Sequence, residues 1–424
     1  MVEEEPLSAT AFRQAEKKFQ LHRTQKLQLS KGRLRGKGWV EKETDFSEVI
    51  DVRGCDDTTI QENGMKLTSA PAAHQKIYSC ENHPGFYLLP GALTLEEQVN
   101  LIEAAWVDFP NPPAKTNLFN QYGDLPNLFE AAASGLHLQT QTQAETPLSR
   151  AHPATNSTAE TSEAANMLEV SQDLENSECC EEGSVSMGCS EMAVQPRLVR
   201  DGGGGEPSIS NSSEGNCASD SMGVEEPPLD RQRQSNTHWV RHSGGPSAKT
   251  LLRKLRWATL GPHFDWTERE YVTSKPYRQL PEQLEAIGLR FADMVGIPFK
   301  PDAALVNYYY KGSTIGGHKD DAEQDMSQPI VSLSLGCPAV FLMGGETRDV
   351  PPTPLFLHSG DAVILSGAAR GCYHGVPRVL VAGDQQQIEG FGLTSEDEPE
   401  KLSRFSERMQ HTRINISIRN VLQT

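Results

Sequence analysis

The chain has 424 residues, of which 57 are acidic and 39 basic, for a formal net charge of −18. That length is enough for two or three domains, and an evenly spread negative charge would argue against a nucleic-acid partner. The charge is not evenly spread: positions 124 to 230 hold nineteen acidic and three basic residues, leaving 38 and 36 elsewhere, so the remainder is nearly neutral.

The first residues, MVEEEPLS, are acidic where a leader peptide would be basic and apolar. Eight cysteines without framework spacing predict a reducing compartment, and no apolar run approaches the length of a membrane span. The expectation is a soluble protein of the nucleus and cytoplasm, monomeric and away from membranes. Residues 1–83 read as a basic, partly helical extension. Within it, residues 8–37 place Phe12, Ala15, Phe19 and Leu21 among nine Lys and Arg residues. Such a basic amphipathic helix is either a nucleic-acid or import contact or a solvated helix packing one apolar edge on the domain.

Residues 84–123 look like the first part of a catalytic unit. PGFYLLPGAL reads as a strand and turn, and residues 94–109 as a helix, with Thr94 and Glu97 spaced as a capping box ahead of Val99, Ile102 and Trp106. Residues 124–246 contain no Phe, Tyr or Trp from 130 to 230 and are rich in Ser, Thr, Glu and Gly. Too little apolar surface is present to offset the entropy of ordering, which predicts a disordered acidic insertion. Cys179, Cys180, Cys189 and Cys217 inside it lack the spacing of a zinc site.

Residues 247–424 read as the catalytic domain. A helix is expected over 281–295, followed by short strands over 303–310, 329–335, 339–343, 354–358, 361–366, 373–380 and 413–418, separated by Gly and Pro turns. Residues 383–410 read as a polar loop before the last strand. This spacing predicts a mostly β fold with flanking helices, built on a double-stranded β-helix or jelly-roll core.

Two patterns carry chemistry. His318 and Asp320 follow a strand by a Gly-containing loop, and His374 follows another strand and another Gly-containing turn. An HxD turn alone is weak evidence, but in a jelly roll these rim positions can converge. Two imidazoles and one carboxylate then cover one face of an octahedral metal, the arrangement of non-haem Fe(II) oxygenases. The other histidines lack such a partner and read as structural or solvated. The second pattern is RINISIR. Arg413, Asn415, Ser417 and Arg419 alternate onto one face of a strand and three isoleucines onto the other. Two arginines inside a barrel are costly unless an anion neutralises them, and a dicarboxylate cosubstrate held bidentately would do so. The alternative is a solvated edge strand.

The ordered set LVNYY, GGHKDD, PIVSLSLG, FLMGGETRD, HSGDAVILSG, YHGVPRVL and RINISIR resembles the AlkB family of Fe(II)- and 2-oxoglutarate-dependent nucleic-acid dealkylases. LLRKLRWATLGPHFDW looks like the eukaryotic homologue-one branch of that family. The resemblance implies Fe(II), 2-oxoglutarate and O2 as cofactors, with His318, Asp320 and His374 as metal ligands and catalytic centre. It implies that Asn307, Tyr309 and Arg413 hold the distal carboxylate of 2-oxoglutarate, with Asn415 and Arg419 near its chelating end. It also implies Trp257 near a flipped base and Arg348 on the substrate side. Phe264 is a further aromatic on which a base could stack, or with Trp257 a core aromatic. Arg253, Lys254 and Arg256 are candidate phosphate contacts. Pro262 and Ala322 depart from the family pattern, so substrate preference does not transfer from the bacterial enzyme.

The implied activity is oxidative demethylation of N-methylated bases in DNA or RNA, tRNA included. A same-fold oxygenase acting on histone side chains, and a non-catalytic scaffold binding histones or other basic proteins through the acidic insertion, are the alternatives.

Overall fold

The computed structural model describes residues 9–30, 33–69, 75–139, 186–187, 238–241, 244–265, 270–382 and 400–422. The strands of its two large sheets are, in chain order, β1 (Met65–Ser69), β2 (Lys76–Cys80), β3 (His83–Leu89), β4 (Trp257–Leu260), β5 (Ala303–Tyr310), β6 (Thr314–His318), β7 (Ile330–Gly336), β8 (Ala339–Met343), β9 (Thr353–Leu357), β10 (Ala362–Leu365), β11 (His374–Val379) and β12 (Thr412–Arg419). The larger sheet runs β1-β2-β3-β10-β7-β12-β5-β4 and the smaller β9-β8-β11-β6, with a two-residue strand, Ser186–Met187, added in parallel beside β6. From β5 onward the chain crosses between sheets, so that β5, β12, β7 and β10 are neighbours in one while β6, β11, β8 and β9 are neighbours in the other. That is the wiring of a jelly roll.

Alternation along the strands decides which face goes where. On β12, Ile414, Ile416 and Ile418 are fully buried in a cluster with Leu284, Ile287 and Phe291 of helix α4 (Glu282–Met294). The isoleucine face thus lies under the helices, and Arg413, Asn415, Ser417 and Arg419 turn into the space between the sheets. Ala304, Val306 and Tyr308 of β5 join the same outer cluster, while Leu305, Asn307 and Tyr309 face inward. A second cluster, including Phe341, Leu357, Val363 and Val376, lies between the sheets and lines the apolar part of the cleft there.

Four local expectations change. The N-terminal helix α1 (Ala11–Phe19) is short and gives way to a hairpin of Arg23–Ser30 with Arg33–Glu41. Thr10 caps its start, and beyond Gln20 the sequence alternates Lys26, Leu27, Gln28, Leu29, a period of two rather than 3.6. Its apolar edge, Phe12 and Phe19, is buried against Val340, Leu342 and Phe356 on the outside of the smaller sheet. Second, the helix after Thr94 is α2 (Leu95–Glu103) and continues as a π-helical turn, Ala104–Asp108, that buries Trp106. The capping box is formed: the Glu97 N–H donates to Thr94 Oγ1 at 3.2 Å and the Thr94 N–H to Glu97 Oε2 at 2.9 Å.

Third, the ends of the acidic insertion are folded. Leu128–Ala133 is helical, His137–Gln139 pairs antiparallel with His238–Val240, and Leu128, Phe129 and Leu138 are buried. The boundary placed at 124 therefore lies beyond residue 139. Residues 140–185 and 188–237, with the four cysteines, lie outside the described residues. Fourth, the expected polar loop 383–410 contains helices Glu400–Ser403 and Ser406–Met409, fixed by buried Phe405 and Met409. No helix among the described residues is long and apolar enough to cross a membrane.

Candidate active site

The two histidines meet because β6 slips. Its pairing with β11 shifts between Ile315 and His318, which sets His318 directly opposite His374. Opposite residues of an antiparallel pair share a face, and the two rings lie 4.4 Å apart between centroids. The slip falls on Gly316 and Gly317. A Cβ on Gly317 would lie 2.5 Å from the Phe12 ring, so α1 can sit there only against glycine. Its Glu16 Oε1 accepts the Gly317 N–H at 2.6 Å.

The ligand atoms are preset by their other contacts. His318 Nδ1 lies 2.9 Å from the Gly316 carbonyl oxygen, which can only accept, so Nδ1 carries the proton and Nε2 keeps its lone pair. His374 Nδ1 faces the Cys372 carbonyl in the same way at 3.4 Å. Asp320 stands between the imidazoles, 3.9 Å from His318 Nε2 and 3.5 Å from His374 Nε2. One ligand atom from each residue fits within a mutual distance of 4.8 Å. Burial alone would raise the Asp320 carboxyl, but the Arg419 guanidinium and both imidazoles hold it well below the usual carboxylate range. Burial and then His374 lower the His318 imidazolium. Neutral imidazoles beside an ionised carboxylate are what a divalent transition metal binds.

A cleft leads from this triad down between the sheets, lined by Asn307, Tyr309, Arg413, Asn415 and Arg419 among others. The pairing of β5 with β12 places Tyr309 opposite Arg413 and Asn307 opposite Asn415. Arg413 is 1% exposed; one of its nitrogens donates to Ser334 Oγ at 2.9 Å, whereas Nε and the other terminal nitrogen are buried without a hydrogen-bond partner. A buried guanidinium with two orphaned donors fits a carboxylate. Burial raises the Tyr309 phenol to about 12, keeping it a hydrogen-bond donor beside that guanidinium. Asn415 is already engaged: its Nδ2 donates to Ser332 Oγ at 2.8 Å and the Leu333 carbonyl at 3.1 Å, and its Oδ1 accepts from Ser417.

The residues expected at the substrate do not line this cleft. Trp257 is half-buried on the edge strand β4, paired opposite Asn307. Phe264 lies on a hairpin of His263–Asp265 with Glu270–Val272, its ring edge-on to Tyr271 at 5.1 Å. Arg348 is exposed; its guanidinium lies over Tyr373 at 5.1 Å and donates to the Gly317 carbonyl at 3.0 Å, and Lys319 Nζ also lies over that ring at 4.9 Å. Arg253 and Lys254 are exposed, whereas Arg256 stacks on Tyr310 at 4.8 Å and donates to the carbonyls of Arg253 and Leu255.

Three participants escape sequence reasoning. Glu16 precedes the metal site by some 300 positions and reads as one more charge on a solvated helix. Glu323 and Arg370 sit in polar turns, DDAEQD and GAARG, that look exposed, yet both side chains are buried. The buried His358 also has a carboxylate partner, Asp51 at 3.0 Å, and neither residue lines the cleft.

The 2OG-Fe(II) oxygenase superfamily matches residues 224–419. The DNA N(6)-methyladenine demethylase ALKBH1A of Arabidopsis thaliana is 32% identical over 419 residues, covering 97% of this chain and 96% of that protein. The chain belongs to the AlkB family. This AlkB-family protein is also 42% identical over 146 residues to the human nucleic acid dioxygenase ALKBH1, covering 34% and 36% of the two chains. It is 38% identical over 130 residues to the Escherichia coli dioxygenase AlkB, covering 30% and 60%. A solved structure described as "The structure of OsALKBH1" is 25% identical and covers 39% of this chain and 78% of that one, with a TM-score of 0.31. As a member of this family the protein is a 2-oxoglutarate-dependent oxidoreductase using Fe(II), 2-oxoglutarate and O2. The triad and the orphaned Arg413 donors fit the metal and the cosubstrate respectively.

Proposed function

We propose that this protein is an oxidative demethylase of N-methylated bases in nucleic acid, with His318, Asp320 and His374 holding Fe(II). The observation that carries the reading is the junction of that triad with a deep cleft ending on a buried, under-bonded arginine. It occurs in a chain that aligns almost end to end with a DNA demethylase. Bound together, iron, 2-oxoglutarate and O2 would supply an oxidant able to hydroxylate the methyl carbon, with 2-oxoglutarate converted to succinate and carbon dioxide and the methyl group lost as formaldehyde.

The chain's own residues set the geometry. Arg413 and Tyr309 take the distal carboxylate of 2-oxoglutarate, with Asn307 beside them on the same face; Arg419 and Asn415 line the wall nearer the metal. His318 and His374 present Nε2 because each Nδ1 is turned to a carbonyl. At the mouth, Phe264 on its hairpin and Trp257 on the edge strand offer faces for an unpaired or flipped base. Arg348 and Lys319, gathered on Tyr373, place positive charge where a strand's phosphates would run. Relatives named for DNA and for tRNA demethylation support a nucleic-acid substrate and leave the choice between the two polymers to experiment.

The test is a panel of methylated DNA and RNA oligonucleotides, tRNA and methylated histone peptides, read by mass spectrometry with succinate release. Demethylation of a nucleic acid that requires Fe(II) and is lost in His318→Ala and Asp320→Ala is the expected result; turnover of peptides alone would refute the reading. A monomeric state, checked by size-exclusion chromatography, a nuclear and cytoplasmic distribution, checked by imaging, and a basic protein partner for the acidic insertion belong to the same proposal. Deletion of residues 140–185 should abolish binding of a histone to the full chain while sparing succinate release.

A further inference from the structure

Arg419 of the cleft wall belongs to a group of charges whose other members, Glu323 and Arg370, do not line the cleft. Glu323 is buried, its side chain 1% exposed, and both carboxylate oxygens are taken by arginines. Oε2 pairs with Arg370 at 3.1 Å, and Oε1 with Arg419 at 2.6 Å. Tyr271 adds its hydroxyl to Oε1 at 3.1 Å. Each arginine in turn reaches Asp320. Arg370, 2% exposed, donates to the Asp320 main-chain carbonyl at 2.6 Å, and Arg419 lies 3.8 Å from the Asp320 carboxylate. Arg370 also donates to the Gln328 carbonyl at 3.1 Å.

Three separate pieces of chain are joined here. Asp320 and Glu323 belong to the loop after β6, Arg419 ends β12, and Arg370 lies in the 3-10 turn Gly367–Gly371 that precedes Cys372 and His374. A loop carrying a metal ligand has no ladder hydrogen bonds to fix it. Its carbonyl and carboxylate would otherwise wander by more than a metal site tolerates. One carboxylate between two planar guanidinium forks is a rigid, directional brace, and each fork holds one end of Asp320. The geometry points to Glu323 as a positioning residue: through Arg370 it sets the backbone of the ligand Asp320, and through Arg419 it sets the cosubstrate side of the cleft. Tyr271 extends the brace to the hairpin that carries Phe264, so the mouth and the metal share one anchor.

This inference rests on the family's iron and 2-oxoglutarate and not on the identity of the methylated substrate. It is therefore tested without nucleic acid. Glu323→Gln keeps the shape and removes the charge. Anaerobic titration of the full chain with Fe(II), then 2-oxoglutarate, is followed by the visible absorbance of the ternary complex, with circular dichroism to report the fold. Weakening of metal binding by about 10- to 100-fold is expected, the range seen when groups behind a ligand are altered, with a parallel loss for 2-oxoglutarate. Because that variant leaves Arg370 without its carboxylate partner, Glu323→Gln/Arg370→Met is measured beside it. This pair restores charge balance without the brace, so folding should recover while both affinities stay low. Wild-type affinities in Glu323→Gln, or affinities restored in the double variant, would overturn the inference. So would failure of both variants to fold, which would make the network a folding element instead. Absence of demethylation by the wild type would count against the substrate reading and leave these binding results unaffected.

Discussion

On β12, Arg413, Asn415, Ser417 and Arg419 enter the cleft at every second residue from a backbone paired on both sides, with β5 and with β7. On the proposed substrate side, taken as the mouth, Phe264 stands on a three-residue strand paired with one other strand, and Arg348 in an exposed loop. The floor holds charges in place before anything binds, as the orphaned donors of Arg413 show, whereas the mouth offers aromatic faces and the cations of Arg348 and Lys319 laid over Tyr373. The difference matches the two tasks. A small dicarboxylate of fixed shape rewards a preset fork, while a polymer with varied bases is better met by stacking and by phosphate contacts that tolerate sequence.

The floor should be broken most sharply at Arg413. Arg413→Met removes two charge-assisted hydrogen bonds to the cosubstrate, each worth about 1.5 kcal/mol or more, so the KM for 2-oxoglutarate should rise roughly 100-fold. Arg413→Lys should rescue little, because an ammonium is not a fork. The apo form of the Met variant should melt no lower than wild type, since a buried, partly unpaired charge has been removed. Iron binding and the KM for the methylated substrate should stay within a few-fold. A variant whose substrate KM rose as much as its 2-oxoglutarate KM would erase the distinction between floor and mouth.

How far each region can be read in the sequence follows from the same contrast. The alternation of RINISIR is a local pattern with one structural meaning, and β12 has the arginine face inside and the isoleucine face under α4. The HxD turn and the distant His374 are legible as residue types, but their meeting depends on a register slip at Gly316 and Gly317 that no spacing announces. Glu16 shows why the rest is hidden. Its contact with Gly317 spans 301 positions and exists only because α1 packs on the smaller sheet. Glu323 and Arg370 lie in turns whose composition matches exposed loops, and burial of a charge is decided by partners elsewhere. The ordered flanks of the acidic insertion are hard to read from sequence because Leu128, Phe129 and Leu138 are few among many polar residues.

The mouth should respond more weakly and selectively. Phe264→Ala removes a stacking face worth about 1–3 kcal/mol per base, so kcat/KM for the methylated oligonucleotide should fall about 10-fold. The KM for 2-oxoglutarate should not move. An equal loss on both substrates would show that Phe264 acts by holding Tyr271, and through it Glu323, and not by meeting a base. A smaller effect is expected at Glu16, which lies outside the cleft. Glu16→Ala strands the Gly317 N–H beside the metal ligand, a defect of about 1–3 kcal/mol. It should lower the melting temperature and weaken metal retention a few-fold, with Glu16→Gln close to wild type because an amide oxygen still accepts.

The Asp51–His358 pair, which does not line the cleft, should give the smallest and most pH-dependent effect. Burial works to raise the Asp51 carboxyl, but the His358 hydrogen bond and charge, with the backbone N–H groups of Arg53 and Gly54, bring it below its ordinary value. Beside it, Arg53 is hydrogen-bonded to Asp361, which also accepts from the N–H groups of Gly91 and His358. A carboxyl whose folded value is depressed binds fewer protons folded than unfolded below neutrality. Its stabilisation is therefore complete above the ordinary Asp value of about 3.9 and is lost as pH falls through the lower folded value. Urea midpoints of the wild type should be flat in this contribution from pH 7 to 5 and decline below about pH 4. Asp51→Asn should shift the curve down by no more than about 1 kcal/mol at neutral pH, given its partial exposure, and flatten the acid decline. Unlike the Arg413 variants, it should leave the KM for 2-oxoglutarate unchanged at pH 7, because Asp51 bonds His358 in the turn between β9 and β10 and does not line the cleft. A change in that KM comparable to that of Arg413→Met would mean that the floor is held through the turn between β9 and β10 and not by the paired register of β12.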